Sequence, residues 1–528
     1  MNDDIPISDF SSDDFDDEED EPQPQLSAPR VVIAILLALA VLVGAGWTVR
    51  SSLSATPRPA AGTTWFAPYV DATLTPPTQF QDANDNPARQ VALGFVVADP
   101  HHGCTPSWGT YYTLDQAASS LNLDSRIAQV RTEGGNVLVS FGGQAHSELA
   151  LTCTSTQQLT AAYRSVISHY QLTAVDFDIE GTTLADTAAT RRRAAALAAL
   201  QHAARAAHKR LDVWLTLPVA TTGLAPDAQT VVADTLAAGV HLAGINVMAM
   251  DFGTPESHMG DTVIRSLRAA NGQLDAIGHR YGLPAGAGAT WGRMGVTVMI
   301  GQNDTDGEIF TVADARQLVG FVRANRVRRV SMWSLNRDIR CGTTFAVIGV
   351  HSNTCSGSNQ RPRQFSALFA HLDGSMATPA ATATAGGRAA PSTTDNPATS
   401  PYPIWSPTRP YPAGYKVVRD GDVYQAKWYT QGDDPAAQVQ YVYQTPWQLI
   451  GPVLPGERAP TTTTLPKGTY PTWSATAVYQ AGDRVLYEGK PYQAKWYNKA
   501  TSPGAENADP TASPWQPRFT IPGEPTNG

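Results

Sequence analysis

Apolar and polar residues alternate in blocks between residues 64 and 372, and this pattern predicts a repeating strand and helix fold. Most of the apolar runs stay apolar for five or more residues, which is typical of parallel strands covered on both faces. Helix candidates between the runs are residues 187–209, 261–280 and 313–326. Eight such alternations in roughly 300 residues favour an α/β fold of the TIM (β/α)8 barrel type over a doubly wound sheet. The runs begin at Phe66, Gln90, Asn136, Leu172, Leu211, Gly244, Gly295 and Arg329.

The fourth run, residues 172–181, carries a carboxylate at every second position. Asp176, Asp178 and Glu180 lie on one face because side chains alternate along a strand, and apolar residues fill the other face. Close carboxylates repel, so Asp178 is expected to raise the pKa of Glu180 and keep it protonated as a general acid. A cation site or a salt-bridged structural site is the alternative. It is less favoured, because Ca²⁺ prefers oxygen ligands that close around a loop.

The composition changes after residue 372. Residues 373–401 form a Pro, Thr and Ala-rich linker, and two copies of an aromatic-rich segment follow at 402–451 and 470–519, joined by a second linker at 452–469. The copies are displaced by 68 residues and share the string YQAKWY. Their composition predicts two small all-β modules. Exposed aromatic rings could stack on sugar rings, or the rings could serve only as core. The candidate tryptophans are Trp405, Trp428, Trp447, Trp473, Trp496 and Trp515.

The N-terminal region indicates membrane anchoring. Residues 1–30 form an acidic tail that holds 11 of the 47 acidic residues, and residues 31–49 contain no charge. A helix of that length nearly spans a bilayer core of roughly 30 Å. We therefore predict a single-pass signal anchor at 31–49, a stalk at 50–63, and a C-terminal part outside the cell. Secretion is the alternative.

Cysteine, histidine and charge patterns narrow the classes of partner. The four cysteines lack CxxC spacing, so we expect disulfides Cys104–Cys153 and Cys341–Cys355 in an exported domain rather than a zinc site. His101 and His102 are adjacent and point in different directions, so we expect no metal. Outside the acidic stretch at residues 3–21, the chain has 36 acidic and 38 basic residues, and no basic stripe predicts nucleic-acid binding.

Four strand ends carry motifs that resemble those of a known enzyme family. AVDFDIEG at 174–181 resembles the DxxDxDxE signature of family 18 glycoside hydrolases, and SFGG at 140–143 resembles its SxGG strand. MAMD at 248–251 and Trp333 match in order and position. The C-terminal copies, with AGD, YQAKWY and a closing Trp, resemble the small chitin-binding modules of bacterial chitinases. The resemblance implies a chitinase that cleaves β-1,4-linked N-acetylglucosamine.

The same resemblance assigns roles to individual residues. Glu180 would protonate the glycosidic oxygen, while Asp178 steadies the acetamido group whose carbonyl oxygen attacks the anomeric carbon. Asp176 would lie deeper and modulate Asp178. This retaining, substrate-assisted route needs no protein nucleophile and no cofactor. The resemblance places Ser140, Met248, Asp251 and Trp333 at the substrate, and Tyr69 and Gln302 are two further candidates for substrate binding.

Met250 is the main departure from the family pattern, since many members have there a tyrosine that donates to the acetamido carbonyl. A missing donor of this kind costs on the order of 10²-fold in rate unless another group replaces it. Tyr69 and Gln302 are candidate substitutes. Two alternatives stay open: a weak or inactive chitin-binding lectin, and a hydrolase of a related polymer such as peptidoglycan or an N-glycan core. We expect a monomer.

Overall fold

The computed structural model describes residues 63–74, 77–83, 85–342, 351–373, 395–397, 400–437, 439, 444–457, 465–505 and 513–518. The predicted tail and anchor, and nearly all of the stalk and the first linker, lie outside these residues. Among the helices that are described, none is long and apolar enough to cross a membrane. The chain divides into units Met1–Ala55 and Thr56–Gly528, and all described elements belong to the second.

Parallel strands form a sheet that curls back on its first strand. The first apolar run is split into β1 (Trp65–Phe66) and β2 (Tyr69–Asp71), and these pair with opposite ends of the sheet. Because one segment joins both ends, the sheet closes as in a (β/α)8 barrel. The order from β1 is β12, β9, β8, β7, β6, β5, β3 and β2. The remaining strands are β3 (Gln90–Ala98), β4 (Pro106–Trp108), β5 (Asn136–Gly142), β6 (Ala174–Asp178), β7 (Asp212–Pro218), β8 (Leu242–Met248), β9 (Met294–Met299), β10 (Gly301–Gln302), β11 (Ile309–Phe310) and β12 (Arg329–Trp333).

Helices alternate with these strands, and the three predicted helices are found within a few residues of their expected ends. α10 shows why the chain is helical there: Thr311 and Asp314 form a reciprocal capping box at its start, and Arg326 ends it in the left-handed conformation. The helices are α1 (Leu114–Ser120), α2 (Leu123–Thr132), α3 (Leu149–Thr152), α4 (Thr156–His169), α5 (Thr182–Ala185), α6 (Thr187–Ala206), α7 (Pro226–Ala237), α8 (Met259–Arg280), α9 (Ala287–Trp291), α10 (Val312–Asn325) and α11 (Gln364–Ala370), with a 3-10 turn at Leu335–Arg337.

The outward face of β6 supplies apolar core between the sheet and the helices. Phe177 is fully buried and stacks on Phe141, with ring centroids 5.0 Å apart, while Tyr163 of α4 meets it edge-on. Burying one such ring stabilises the fold by about 1.5–3 kcal/mol. This packing fixes the strand that carries the acidic residues.

The barrel interior contains a layer of polar side chains above an aromatic floor. The Asn246 amide nitrogen donates to Thr216 Oγ1 at 3.0 Å and to Thr297 Oγ1 at 2.7 Å, so this side chain links strands β7, β8 and β9 inside the barrel. Trp65 and Trp214 pack edge to face and form a separate apolar cluster with small neighbours. Polar groups inside the barrel are therefore held in fixed positions.

The two C-terminal copies fold as matching β modules, as their repeat predicts. In each, a three-stranded antiparallel sheet is accompanied by a two-stranded pair. The first copy contains β13 (Pro410–Tyr411), β14 (Lys416–Arg419), β15 (Asp422–Ala426), β16 (Thr430–Gln431) and β17 (Trp447–Pro452). The second contains β18 (Val478–Tyr479), β19 (Arg484–Tyr487), β20 (Lys490–Ala494), β21 (Asn498–Lys499) and β22 (Trp515–Pro517).

The first module packs directly on the outside of the barrel. Gln448 Nε2 donates to Gln79 Oε1 at 2.6 Å, and Lys416 Nζ donates to Asn122 Oδ1 at 2.6 Å. A Cβ atom added at Gly451 would lie only 2.2 Å from the carbonyl oxygen of α2 residue Ser125. Strand β17 therefore lies against α2 with no room for a side chain between them.

Candidate active site

Strand β6 places two carboxylates inside the barrel and a third at its mouth. Asp176 and Asp178 are 0% and 4% exposed, whereas Glu180 lies two residues past Asp178 and is half-buried. Val175 and Ile179, at the alternate positions, face the helices and are fully buried. The alternation expected from the sequence thus produces a row of carboxyl groups that ends at the carboxyl edge of the sheet.

Asp176 is surrounded by donors from four other strands. The Tyr69 hydroxyl donates to its Oδ2 at 2.7 Å and the Ser140 hydroxyl to the same oxygen at 2.8 Å. On Oδ1, the Thr216 hydroxyl donates at 2.8 Å and the Arg329 guanidinium at 2.6 Å. Three hydroxyl donors and a guanidinium are the surroundings of an ionised carboxylate.

Asp178 and Glu180 act as a pair that shares a hydrogen bond. Burial, then the charges of Glu180 and Asp176, raise the pKa of Asp178 well above its usual value. Burial, then the charge of Asp251, raises the pKa of Glu180 to about 7. The shared hydrogen bond stabilises the protonated form of Asp178 and the ionised form of Glu180, so one proton is held between them. Such a pair supplies a proton near neutral pH.

A cluster of aromatic rings comes from β2, β3 and β12. Trp333, at the end of β12, stacks on Phe95 of β3 with centroids 5.6 Å apart and planes 21° apart, and Tyr69 lies 6.3 Å from Trp333. Both Trp333 and Phe95 are half-buried. A Cβ at Gly143 would come within 3.0 Å of the Phe95 ring, so the second glycine of SFGG leaves room for it. A flat apolar surface of this kind suits one face of a sugar ring.

The other predicted substrate-binding residues lie at the end of β8, just after it, and in β10. Met248 ends β8 and is half-buried. Asp251 accepts a hydrogen bond from the Thr305 backbone N–H at 3.0 Å, and burial is the first cause of its raised pKa. Gln302 is buried and donates to the carbonyl oxygens of Asn303 and Thr305.

Neither candidate substitute for the missing tyrosine hydroxyl points its donor at an open position. The Tyr69 hydroxyl already donates to Asp176, and the Gln302 amide donates both hydrogens within its own loop. Both side chains are at most 2% exposed. Their proposed role toward an acetamido carbonyl therefore has no support in this geometry, and neither of them replaces the hydroxyl that is missing at Met250.

Sequence reasoning missed Arg329 and Phe95. Arg329 opens the last apolar run and is fully buried, bound to Asp176. A charged residue in an otherwise apolar strand was the signal available for it. Phe95 sits in an apolar run with nothing in its neighbours to separate it from ordinary core.

Both predicted disulfides, Cys104–Cys153 and Cys341–Cys355, are confirmed. The first ties the loop after β3 to the end of α3. His101 and His102, just before it, are exposed, and their backbone N–H groups donate to Asp99. Trp108, which ends β4 after this loop, is fully buried and donates to the Tyr170 hydroxyl.

The six module tryptophans divide into core and surface. Trp447 and Trp515 are each 2% exposed and donate to backbone carbonyls, and Trp405 and Trp473 are partly buried beside them. The surface pair repeats in both copies: Trp428 with Tyr429, and Trp496 with Tyr497, all at least 45% exposed. Lysines Lys427 and Lys495 lie over the exposed tryptophan rings at 4.9 and 4.7 Å. Each module thus presents one flat aromatic pair to solvent.

Comparison with known proteins gives both parts of the chain relatives. Residues 472–516 match the model of carbohydrate-binding module family 5/12. The chain is 34% identical over 310 residues to a probable bifunctional chitinase/lysozyme of Escherichia coli K12, covering 57% of this chain and 34% of that protein. It is 33% identical over 309 residues to endochitinase 11 of Metarhizium anisopliae, covering 56% and 57%. The chain therefore spans about a third and just over half of these two relatives.

A solved structure covers the barrel. The crystal structure of the catalytic domain of the hyperthermophilic chitinase from Pyrococcus furiosus aligns with 60% of this chain and 97% of its own, at 26% identity and a TM-score of 0.52. The barrel is a chitinase-like domain. The C-terminal part carries a carbohydrate-binding module of family 5/12.

Proposed function

We propose that the chitinase-like barrel hydrolyses β-1,4 linkages between N-acetylglucosamine units in chitin by a retaining, substrate-assisted mechanism. The observation that carries this proposal is the Asp178–Glu180 pair at the barrel mouth, with the pKa of Glu180 raised to about 7. The half-buried Trp333 ends another strand of the same barrel. The names of the relatives agree with this substrate. The family 5/12 module adds a polymer-binding element.

The steps follow from the positions of the two acids. In the reactive form of the pair the shared proton is on Glu180 and Asp178 is ionised, and Glu180 gives this proton to the glycosidic oxygen as the bond to the anomeric carbon breaks. Asp178 accepts the acetamido N–H, which strengthens the carbonyl oxygen as a nucleophile toward the anomeric carbon. Water then opens the resulting ring and returns a proton to Glu180. The leaving sugar receives the proton of Glu180, and the other product receives its hydroxyl group from water. The protein forms no covalent bond to the sugar.

Turnover by the full chain tests the proposal. We expect wild-type protein to release reducing ends from soluble N-acetylglucosamine oligomers, and Glu180→Gln to lose at least about 10²-fold in kcat because the amide cannot donate an acid proton. Glu133→Gln, an exposed residue that follows α2, is the matched control and should behave as wild type. If wild-type protein binds the oligomers but turns them over no faster than Glu180→Gln does, the proposed enzymatic function is wrong.

A chitin-binding lectin is the second candidate, and Met250 is the observation that favours it. The hydroxyl that many family members place at this position is missing, and the two nearby candidates donate elsewhere. A lectin would bind oligomers with wild-type and Glu180→Gln protein alike and release no reducing ends from either. Turnover of peptidoglycan instead of chitin would keep the hydrolase and change the polymer, as the name of the Escherichia coli relative suggests.

The modules are proposed to hold insoluble polymer near the barrel. Support comes from the exposed aromatic pairs, since two weak binders on one chain gain effective concentration on a repetitive surface. Trp428→Ala with Trp496→Ala should weaken hydrolysis of insoluble chitin and leave soluble oligomers unaffected. Trp447 is unsuitable for this test because it is core. Equal losses on both substrates would contradict the anchoring role.

We also propose that the barrel and modules lie outside the cell membrane, held by an anchor at residues 31–49. The two disulfides support an oxidising compartment. Trypsin added to intact cells should remove the C-terminal part. Protection from trypsin until the cells are lysed would contradict this orientation.

A further inference from the structure

Arg329 is a buried cation inside the barrel, directly beneath the proposed catalytic pair. Its guanidinium carbon lies 5.5 Å from the Trp65 ring centroid and 5.4 Å from those of Tyr69 and Trp214. The side chain is 0% exposed. A buried charge is costly unless it is paired, so its partners decide what it does.

Each nitrogen of this guanidinium donates a hydrogen bond to a buried side-chain oxygen. Nη1 donates to Asp176 Oδ1 at 2.6 Å, Nη2 to the Tyr69 hydroxyl at 3.1 Å, and Nε to the Ser331 hydroxyl at 2.9 Å. The Tyr69 hydroxyl in turn donates to the other oxygen of Asp176. One arginine therefore neutralises Asp176 and also aligns a second donor on it.

Asp176 has no need of a proton in this setting, because donors already occupy both its oxygens. Asp178, in contrast, has one buried oxygen without a partner among the described residues, and its hydrogen bond goes to Glu180. These contacts favour a proton shared between Asp178 and Glu180 over one on Asp176.

We propose that Arg329 is a positioning residue: it holds Asp176 as a fixed anion and so confines the mobile proton to Asp178 and Glu180, where the reaction uses it. This inference rests on the proposed hydrolase function. The inference extends that function, because it assigns to Arg329 on β12 the control of where the proton resides.

Other charged groups near this network enter the pH dependence. Asp176, Asp178 and Tyr69 interact with Arg329 directly, and its charge lowers the pKa of Asp178. At the mouth, Glu180 faces Asp251, which in turn faces Asp304 and Arg337. Arg329 is thus the cation that acts on Asp178, while Arg337 acts on Asp251.

The test is the pH profile of kcat/KM on a soluble N-acetylglucosamine oligomer. Arg329→Met removes a positive charge beside Asp176, Asp178 and Glu180, so these three carboxyl groups should take up a second proton at higher pH. The acid limb of the profile reports protonation of the carboxylate that receives the acetamido N–H. This limb should move up by about one pH unit. A uniform loss of rate with both limbs unmoved would show a merely structural role and overturn the proposal.

Two further variants separate charge from geometry. Arg329→Lys keeps the charge but cannot reach Asp176, Tyr69 and Ser331 together, so kcat should fall while the limbs stay in place. Arg329→Met with Asp176→Asn removes both charges, and its acid limb should return toward that of wild type. The double variant also replaces a buried ion pair by a neutral pair, so it provides the test if Arg329→Met alone does not fold. An acid limb that is displaced equally in both Met variants would contradict the proposal.

Failure of the enzyme proposal would be visible separately. If wild-type protein shows no turnover, carboxyl-carbon NMR titration of Asp176, Asp178 and Glu180 still tests the role of Arg329. The charge of Arg329 lowers the pKa of Asp178, so this pKa should rise in Arg329→Met and stay in place in Arg329→Lys. An Asp178 titration that is the same in wild type and Arg329→Met would overturn the inference whether or not the protein is an enzyme.

Discussion

At the scale of single residues, the pKa of Glu180 sets the pH range of the proposed reaction. Glu180 must be protonated to act as an acid, so activity is lost as pH rises through about 7. The charge of Asp251 contributes to this raised pKa, and removing it makes ionisation of Glu180 easier. Asp251→Asn should therefore move the alkaline limb of kcat/KM to lower pH.

The control for this prediction is Asp306→Asn. Asp306 is 97% exposed and pairs with His351, so its charge is screened by solvent and the limb should not move. A limb that stays in place in Asp251→Asn, or that moves equally in both variants, would show that Asp251 does not tune the acid.

Met250 gives a second prediction at this scale. It is half-buried beside Asp251, at the position where many chitinases of this type carry a hydroxyl. Met250→Tyr should raise kcat on N-acetylglucosamine oligomers by about tenfold or more, because one added donor to a developing charge is worth up to about 10²-fold. Met250→Phe supplies the ring without the hydroxyl and should give no such gain. Equal rates in the two variants would mean that the hydroxyl has no role in this chain.

At the scale of elements, the position of β6 depends on a close backbone contact with β5. A Cβ at Gly142 would lie 2.1 Å from the Asp178 carbonyl oxygen, and its φ is +100°. Gly142→Ala should therefore separate the two strands and displace Asp178. We expect it to lower the free energy of unfolding by about 3 kcal/mol, with about 1 kcal/mol of this from φ alone.

Gly239→Ala isolates the backbone contribution. Gly239 has φ of +81° with no atom within 4 Å of an added Cβ, so only the conformational cost applies. Urea unfolding of both variants measures the difference. Similar losses of stability would indicate that the Gly142 contact relaxes without moving β6.

The hydrophobic periodicity of the sequence was sufficient to predict the strands, because each barrel strand is covered on both faces and appears as an apolar run. The row of carboxylates on β6 could be predicted as well, since side-chain alternation is a local property of one strand. The role of Arg329 could not be predicted, because its partner Asp176 is 153 residues away in sequence and pairs with it only across the closed barrel. The commitment of Tyr69 and Gln302 to internal hydrogen bonds depends on the same long-range contacts.

At the scale of the whole molecule, the two modules differ in a way that their shared sequence did not predict. The first is fixed to the barrel by β17, through Gln448 and the bare backbone of Gly451 against Ser125. Gln81 reinforces the contact, because it donates to the Leu449 carbonyl and accepts from Arg126. The aromatic pair of the first module is thereby held at a constant position relative to the barrel.

This docking gives the last prediction. In Gln448→Ala with Gly451→Ala, one hydrogen bond is lost and a methyl group is forced against the Ser125 carbonyl, so β17 should leave α2. Hydrogen exchange in peptides covering residues 77–83 and 122–132 should become about tenfold faster, as loss of about 1.4 kcal/mol of local stability implies. Gln516→Ala is the matched control. Gln516 of β22 pairs with Gln493 of β20 in the second module, just as Gln448 of β17 pairs with Gln425 of β15 in the first. The added methyl group is incompatible with the observed contact. Unchanged exchange in the double variant would therefore mean that the first module does not rest on α2 in solution. Its aromatic pair would then be no more constrained than that of the second module.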